Sequence, residues 1–186
     1  MMTNSKEGGG GGQTETLSPA LPDDVEQAAA ALLEAACDAE LMLATAESCT
    51  GGLLGSLLTD VEGASHAFER GFIVYSEAAK CELLGVARDQ IDRCGAVSRE
   101  VAIAMAEGAI RGSHADIALS VTGFAGSTDD GGEAGLVHFA CARRHGATVH
   151  REAHFGDIGR GPVRIACMRV ALDMLRQAVA APAPTR

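Results

Sequence analysis

The sequence predicts an α/β protein, a three-layer α/β/α arrangement with helices on both faces of a mixed sheet. Three observations predict it. Short apolar runs alternate with longer segments of helical periodicity through most of the chain. The last two strand-like segments follow one another with no helix between them, which adds a hairpin and makes the strand set mixed. Hydrophobic residues make up 47% of the 186 residues and charged residues 22%, the balance of a folded globular chain. Aromatic residues are only 3% and Trp is absent, so Ala, Leu, Val and Ile must fill most of the core.

Residues 1–22 are rich in Gly, Ser and Thr, with five consecutive glycines from Gly8 to Gly12. Such a stretch has no apolar face to bury and is expected to be a flexible tail. One folded domain is expected over residues 23–180, followed by a frayed end at 181–186. The domain opens near Asp23 or Asp24, either of which can cap a helix running from Val25 to Ala39. The apolar run Leu41–Ala46 reads as a buried strand, and Cys49 to about Leu58 as a helix opened by Ser48. Gly71–Tyr75 is a strand by its β-branched and aromatic content, and Glu77–Leu84 a short helix stopped at Gly85. Ser98 caps a helix that ends before Gly112, with Val101, Met105, Ala106 and Ala109 on its apolar face. Ile117–Val121 is the next strand. Gly135–Arg143 and Thr148–Phe155 pair across a His145-Gly146 turn, and Arg164–Val179 closes the chain as an amphipathic helix. The pattern leaves the strand order open.

The formal net charge is -10. A protein that tracks nucleic-acid phosphates carries a basic patch, so this balance excludes a general DNA or RNA role while allowing a small phosphorylated ligand. No apolar run approaches the ~20 residues of a membrane span, and no signal-peptide pattern opens the chain. The six cysteines form no Cys-x-x-Cys pair and no zinc-spaced cluster. They read as reduced, mostly buried thiols of a cytoplasmic protein.

The segment Thr45-Ala46-Glu47-Ser48-Cys49-Thr50-Gly51-Gly52 carries the chemistry. It sets a small hydroxyl between a strand and a Gly-rich helix start. The first N–H groups of a helix lack internal partners, so they can hold a phosphate or an oxyanion. Gly51 and Gly52 allow close backbone approach. The plainer reading makes Ser48 only a helix cap, and Cys49 is a rival nucleophile.

A nucleophilic serine needs a base. Only Lys6 and Lys80 are lysines among the 15 Lys plus Arg, and Lys6 lies in the tail. Arg does not give up its proton near neutral pH, whereas a desolvated Lys does. Lys80 is therefore the one amine in the folded part that can serve, unless it is simply a surface lysine. Tyr75, the only tyrosine, stands five residues earlier and can relay a proton or merely pack as a half-buried aromatic. The six histidines sit in no nucleophile motif, and His138 and His154 read as strand residues packing at the core edge. A second Gly-rich loop, Thr122-Gly123-Phe124-Ala125-Gly126-Ser127, follows a strand, where open α/β sheets bind ligands.

These blocks, together with Phe68–Lys80, Leu84-Gly85-Val86 and Gly95-Ala96-Val97-Ser98, occur in an order that closely resembles the C-terminal domain of the competence-damage protein CinA and its stand-alone form, the nicotinamide-nucleotide amidases. The resemblance covers about Asp24 to Ala178. It implies hydrolysis of nicotinamide mononucleotide to nicotinate mononucleotide and ammonia, in pyridine-nucleotide recycling, with no metal or cofactor. Carried over by position, it implies Ser48 as nucleophile, Lys80 as general base and Tyr75 as assistant. Cys49, Thr50, Gly51, Gly52, Thr122, Gly123, Ala125 and Gly126 would line the substrate site, and Arg160 or Arg164 would meet the phosphate. It also implies a homo-oligomer. The chain departs from the family pattern at Ser127, at Glu133–Val137 and at Ile158, where the family carries Pro, Pro-Val-Gly-Thr-Val and Arg. Those departures leave a non-catalytic nucleotide-binding module of the same fold as the alternative.

Overall fold

The computed structural model describes residues 21–64, 66–126 and 131–182. The expected tails lie outside these residues apart from 21, 22, 181 and 182, as does Ser127. In chain order the elements are α1 (Asp23–Asp38), β1 (Leu43–Glu47), α2 (Leu53–Thr59), β2 (Phe68–Ile73), α3 (Glu77–Leu84), α4 (Arg88–Cys94), α5 (Arg99–Arg111), β3 (Ile117–Gly123), β4 (Leu136–Arg143), β5 (Val149–His154) and α6 (Arg160–Ala180).

The sheet runs β2-β1-β3-β4-β5. β1 is parallel to both β2 and β3, while β3, β4 and β5 alternate in direction, so the expected mixed sheet is present. The layers differ in the size of the residues they bury. Leu43, Ile117, Leu119, Val121, Val137 and Phe139 point to one face, where α1, α2 and α6 close a large aliphatic core. The other face offers Ala44, Ala46, Ala118, Ala140 and Ala142, so α5 approaches closely with its own Ala102, Ala106 and Ala109. The approach is near enough for Ser120 Oγ to donate to the Ala102 carbonyl at 2.6 Å. α3 and α4 pack on α5.

Four expectations shift. Neither Asp23 nor Asp24 caps α1; the N-cap is Pro22, and Asp24 instead ion-pairs with Arg169 of α6 at 2.6 Å. α2 begins at Leu53 rather than beside Ser48, because residues 48–52 turn first. β2 covers Phe68–Ile73, ahead of the expected span, and α6 starts four residues earlier than Arg164. The short helix α4 had no counterpart in the periodicity, since it buries only Ile91.

α3 and α5 meet at a glycine. A Cβ on Gly108 would lie 2.2 Å from the Leu84 carbonyl oxygen at the end of α3. Backbone cannot yield as a side-chain tip can, so Gly108→Ala must push the helices apart. Overpacking of this kind costs about 1–3 kcal/mol, which lowers the melting temperature by several degrees in a domain of this size. Thermal unfolding followed by circular dichroism checks it, and an unchanged melting point would show that α3 and α5 have slack.

Candidate active site

The carboxyl ends of β1 and β3 open on a cleft of about 240 Å³, lined by Ser48, Cys49, Tyr75, Lys80, Ala96, Val97, Thr122–Gly126 and Arg160. Ligands of open α/β sheets bind in this position. The parallel register aligns Glu47 at the end of β1 with Ile73 of β2 and Val121 of β3, so the loops after these strands converge.

Ser48 leaves β1 with its N–H donating to the Val121 carbonyl at 3.0 Å, and its own carbonyl accepts from Gly51 N–H at 3.1 Å. The turn passes through Gly51 at φ 62° and Gly52 at φ 91°, a left-handed backbone that suits glycine. Lys80 comes from the middle of α3, a helix capped by Ser76 Oγ accepting from Ala79 N–H at 3.1 Å. Its amine reaches across to donate to Ser48 Oγ at 3.0 Å and to the Val74 carbonyl at 3.0 Å. Lys80 is 2% exposed, and among the described residues no carboxylate is hydrogen-bonded to its amine. Burial holds its pKa below the ordinary lysine range. A hydroxyl and a depressed amine in contact are what a serine nucleophile and its base require.

The structure redistributes the other roles. Tyr75 stands at the mouth of the cleft, 67% exposed, with no hydrogen-bond partner among the described residues. The direct contact between Lys80 and Ser48 leaves no gap for a relay between those two atoms. The start of α2, expected to present free amides to an oxyanion or phosphate, is occupied. The buried carboxylate of Glu47 accepts from the N–H groups of Gly52, Leu54 and Gly55 at 3.1, 3.0 and 2.8 Å, and from Thr50 Oγ1 at 2.7 Å. Ser48 is therefore no helix cap. In this turn Gly51 N–H is held by Ser48 and Gly52 N–H by Glu47, which leaves the amides of Cys49 and Thr50 without a carbonyl or carboxylate acceptor among the described residues. Sequence reasoning gave Glu47 no role; a carboxylate ending an otherwise apolar strand was the available signal.

Cys49 borders the cleft, and the influence of the Cys167 thiol of α6 holds the Cys49 pKa below the ordinary thiol range while Cys167 is pushed above it. It is the Ser48 hydroxyl, not the Cys49 thiol, that the Lys80 amine hydrogen-bonds. Thr122 Oγ1 donates to the Ala96 carbonyl at 2.9 Å and fixes the 95–98 segment over the cleft. Gly123 permits the close pairing of β3 with β4, since a Cβ there would fall 2.7 Å from the Leu136 carbonyl. Arg160, in the first turn of α6, lines the cleft beside Gly126. Arg164 does not line it: its guanidinium donates to the Thr50 carbonyl and braces the turn from behind. The histidines stay away. His138 is buried against α5 with Nδ1 3.1 Å from His150 Nε2, and His154 is not at the core edge but half-exposed between Glu133 and Glu152. A largely apolar cavity of about 370 Å³ beside Val149 and Met174 is bordered by the Cys141 thiol, pushed up to about 12 by burial, and by Arg143 and Gln177, which are held by the Ala181 and Pro182 carbonyls and by Asp173. Among the described residues no helix is long and apolar enough to cross a membrane, and no cluster of His, Cys, Asp and Glu is arranged to hold a metal ion.

Comparison with known proteins follows the same lines. The chain is 43% identical over 137 residues to the nicotinamide-nucleotide amidohydrolase PncC of Escherichia coli (strain K12), covering 72% of this chain and 81% of that one. It is 45% identical over 139 residues to a CinA-like protein of Geotalea uraniireducens, covering 73% of this chain and 32% of that one. The chain thus spans about a third of the length of such longer relatives. The crystal structure of the competence/damage inducible protein CihA from Agrobacterium tumefaciens superposes with a TM-score of 0.81 at 41% identity, covering 87% of this chain and 98% of that one. Residues 25–179 match the CinA C-terminal domain, and the chain belongs to that family.

Proposed function

We propose that this protein is an amidohydrolase that converts nicotinamide mononucleotide and water to nicotinate mononucleotide and ammonia through an acyl-enzyme on Ser48. The observation that carries the reading is the 3.0 Å contact between Ser48 Oγ and the buried Lys80 amine. The name of the Escherichia coli relative supports the substrate.

In the neutral state Lys80 accepts the Ser48 proton as Oγ attacks the carboxamide carbon. The carbonyl oxygen takes up the negative charge beside the amide of Cys49, a cleft-lining residue whose N–H Glu47 and Ser48 leave unclaimed. Lys80 returns the proton to the departing nitrogen, and ammonia leaves. Tyr75, at the mouth, can stabilise the same nitrogen. Water then attacks the ester carbon, gives a proton to Lys80, and the carboxylate is released as Oγ recovers its hydrogen. Arg160, which lines the cleft, would meet the substrate phosphate, whereas Arg164 is committed to the turn.

The deciding experiment incubates purified protein with nicotinamide mononucleotide and measures ammonia and nicotinate mononucleotide. Stoichiometric release of both is expected. Tight nucleotide binding with no release of either would favour a binding module instead.

A further inference from the structure

Glu47 is 1% exposed at the end of β1. A buried carboxylate is costly unless donors surround it, and here they do. Oε2 accepts from Thr50 Oγ1, Gly52 N–H and Leu54 N–H, and Oε1 from Gly55 N–H. The chain leaves β1 at Glu47 and comes back to that residue's own side chain at Gly52. The loop that carries Ser48 is therefore closed at both ends by one carboxylate. The main chain of Glu47 acts on the base as well. Its carbonyl accepts from Val74 N–H at 2.8 Å, and the Val74 carbonyl accepts from Lys80.

From this we infer that Glu47 is a positioning residue: its side chain lashes the nucleophile turn to α2 and its carbonyl lashes Val74, so that it fixes where Ser48 meets Lys80. A group that merely filled the space could be replaced by a carboxamide of the same shape. Glutamine, however, presents an NH₂ to N–H groups on one of its two sides. The turn must then retreat, and a displacement near 1 Å at a reacting atom costs about 100-fold in rate.

The inference rests on the amidase reading for its choice of substrate, so the test has a second arm that does not. Glu47→Gln and Glu47→Asp are compared with wild type for kcat and KM on nicotinamide mononucleotide. They are also compared for the rate at which a fluorophosphonate labels Ser48, read by intact mass. In that labelling Oγ–P forms, P–F breaks, fluoride leaves and Lys80 takes the proton. Glu47→Gln is expected to lose about 100-fold in kcat with KM within about threefold, and to label correspondingly slowly, while melting cooperatively. Glu47→Asp, which keeps the acceptors, should recover part of the loss. A folded Glu47→Gln protein that labels Ser48 at the wild-type rate overturns the assignment. If Glu47→Gln does not fold, Thr50→Val decides, because it removes only the 2.7 Å arm. Slower labelling supports the role and unchanged labelling ends it. Wild type that labels yet releases no ammonia defeats the amidase reading and leaves the labelling comparison standing.

Discussion

Alanine at position 48 is expected to lower ammonia release by on the order of 10⁵- to 10⁶-fold, the loss that follows removal of a serine nucleophile that works as a unit with its base. The fold should not notice. Among the described residues Ser48 Oγ has a single hydrogen-bond partner, the Lys80 amine, and that amine keeps the Val74 carbonyl when the hydroxyl is gone. The melting point should stay within a few degrees, and nucleotide affinity should persist, because the contacts assigned to the phosphate lie on Arg160. Steady-state turnover and isothermal titration of Ser48→Ala with the mononucleotide give both numbers. Turnover near the wild-type value would mean that water, not Ser48, attacks the amide.

Lys80→Met is the second large effect. Methionine keeps the length and much of the volume of lysine but carries no base, so turnover should fall at least about 1,000-fold. Lys80→Arg should fare no better, since its guanidinium stays protonated. The wild-type pH profile should reflect the same amine. The proposed mechanism requires neutral Lys80, so kcat/KM is expected to rise with pH to a plateau, with its midpoint below the ordinary lysine range because burial depresses this pKa. Stability follows with a definite sign. Below the folded pKa both states hold the proton and the desolvation penalty is fully present. Between that pKa and the value in the unfolded chain, the unfolded state binds more protons, so wild-type stability rises with pH. Lys80→Met should flatten that rise while abolishing turnover. A variant with the wild-type pH–rate profile would assign the base elsewhere.

The alternation of strands and helices was legible because each core strand is apolar over a short run and each long helix carries a regular buried stripe. Strand order was not, since nothing local tells β1 that it will lie between β2 and β3. The pairing of Ser48 with Lys80 could be anticipated by elimination, as a single lysine falls in the folded part. The start of α2 could not. Ser followed by glycines reads as a cap, and only in three dimensions does Glu47 reach forward over the turn to take the amides that Ser48 was expected to serve. Arg160 and Arg164 were indistinguishable in sequence. One helical turn separates them, and that turn decides that one faces the cleft and the other the Thr50 carbonyl.

The missing methyl at Gly108 reaches further than packing. Leu84, whose carbonyl occupies that space, lies one helical turn beyond Lys80. The depth at which α3 sits therefore sets how dry the amine is, and dryness sets how readily it sheds its proton. A side chain on the neighbouring helix, remote from the reacting atoms, would thus retune the acidity of the base by admitting water behind it.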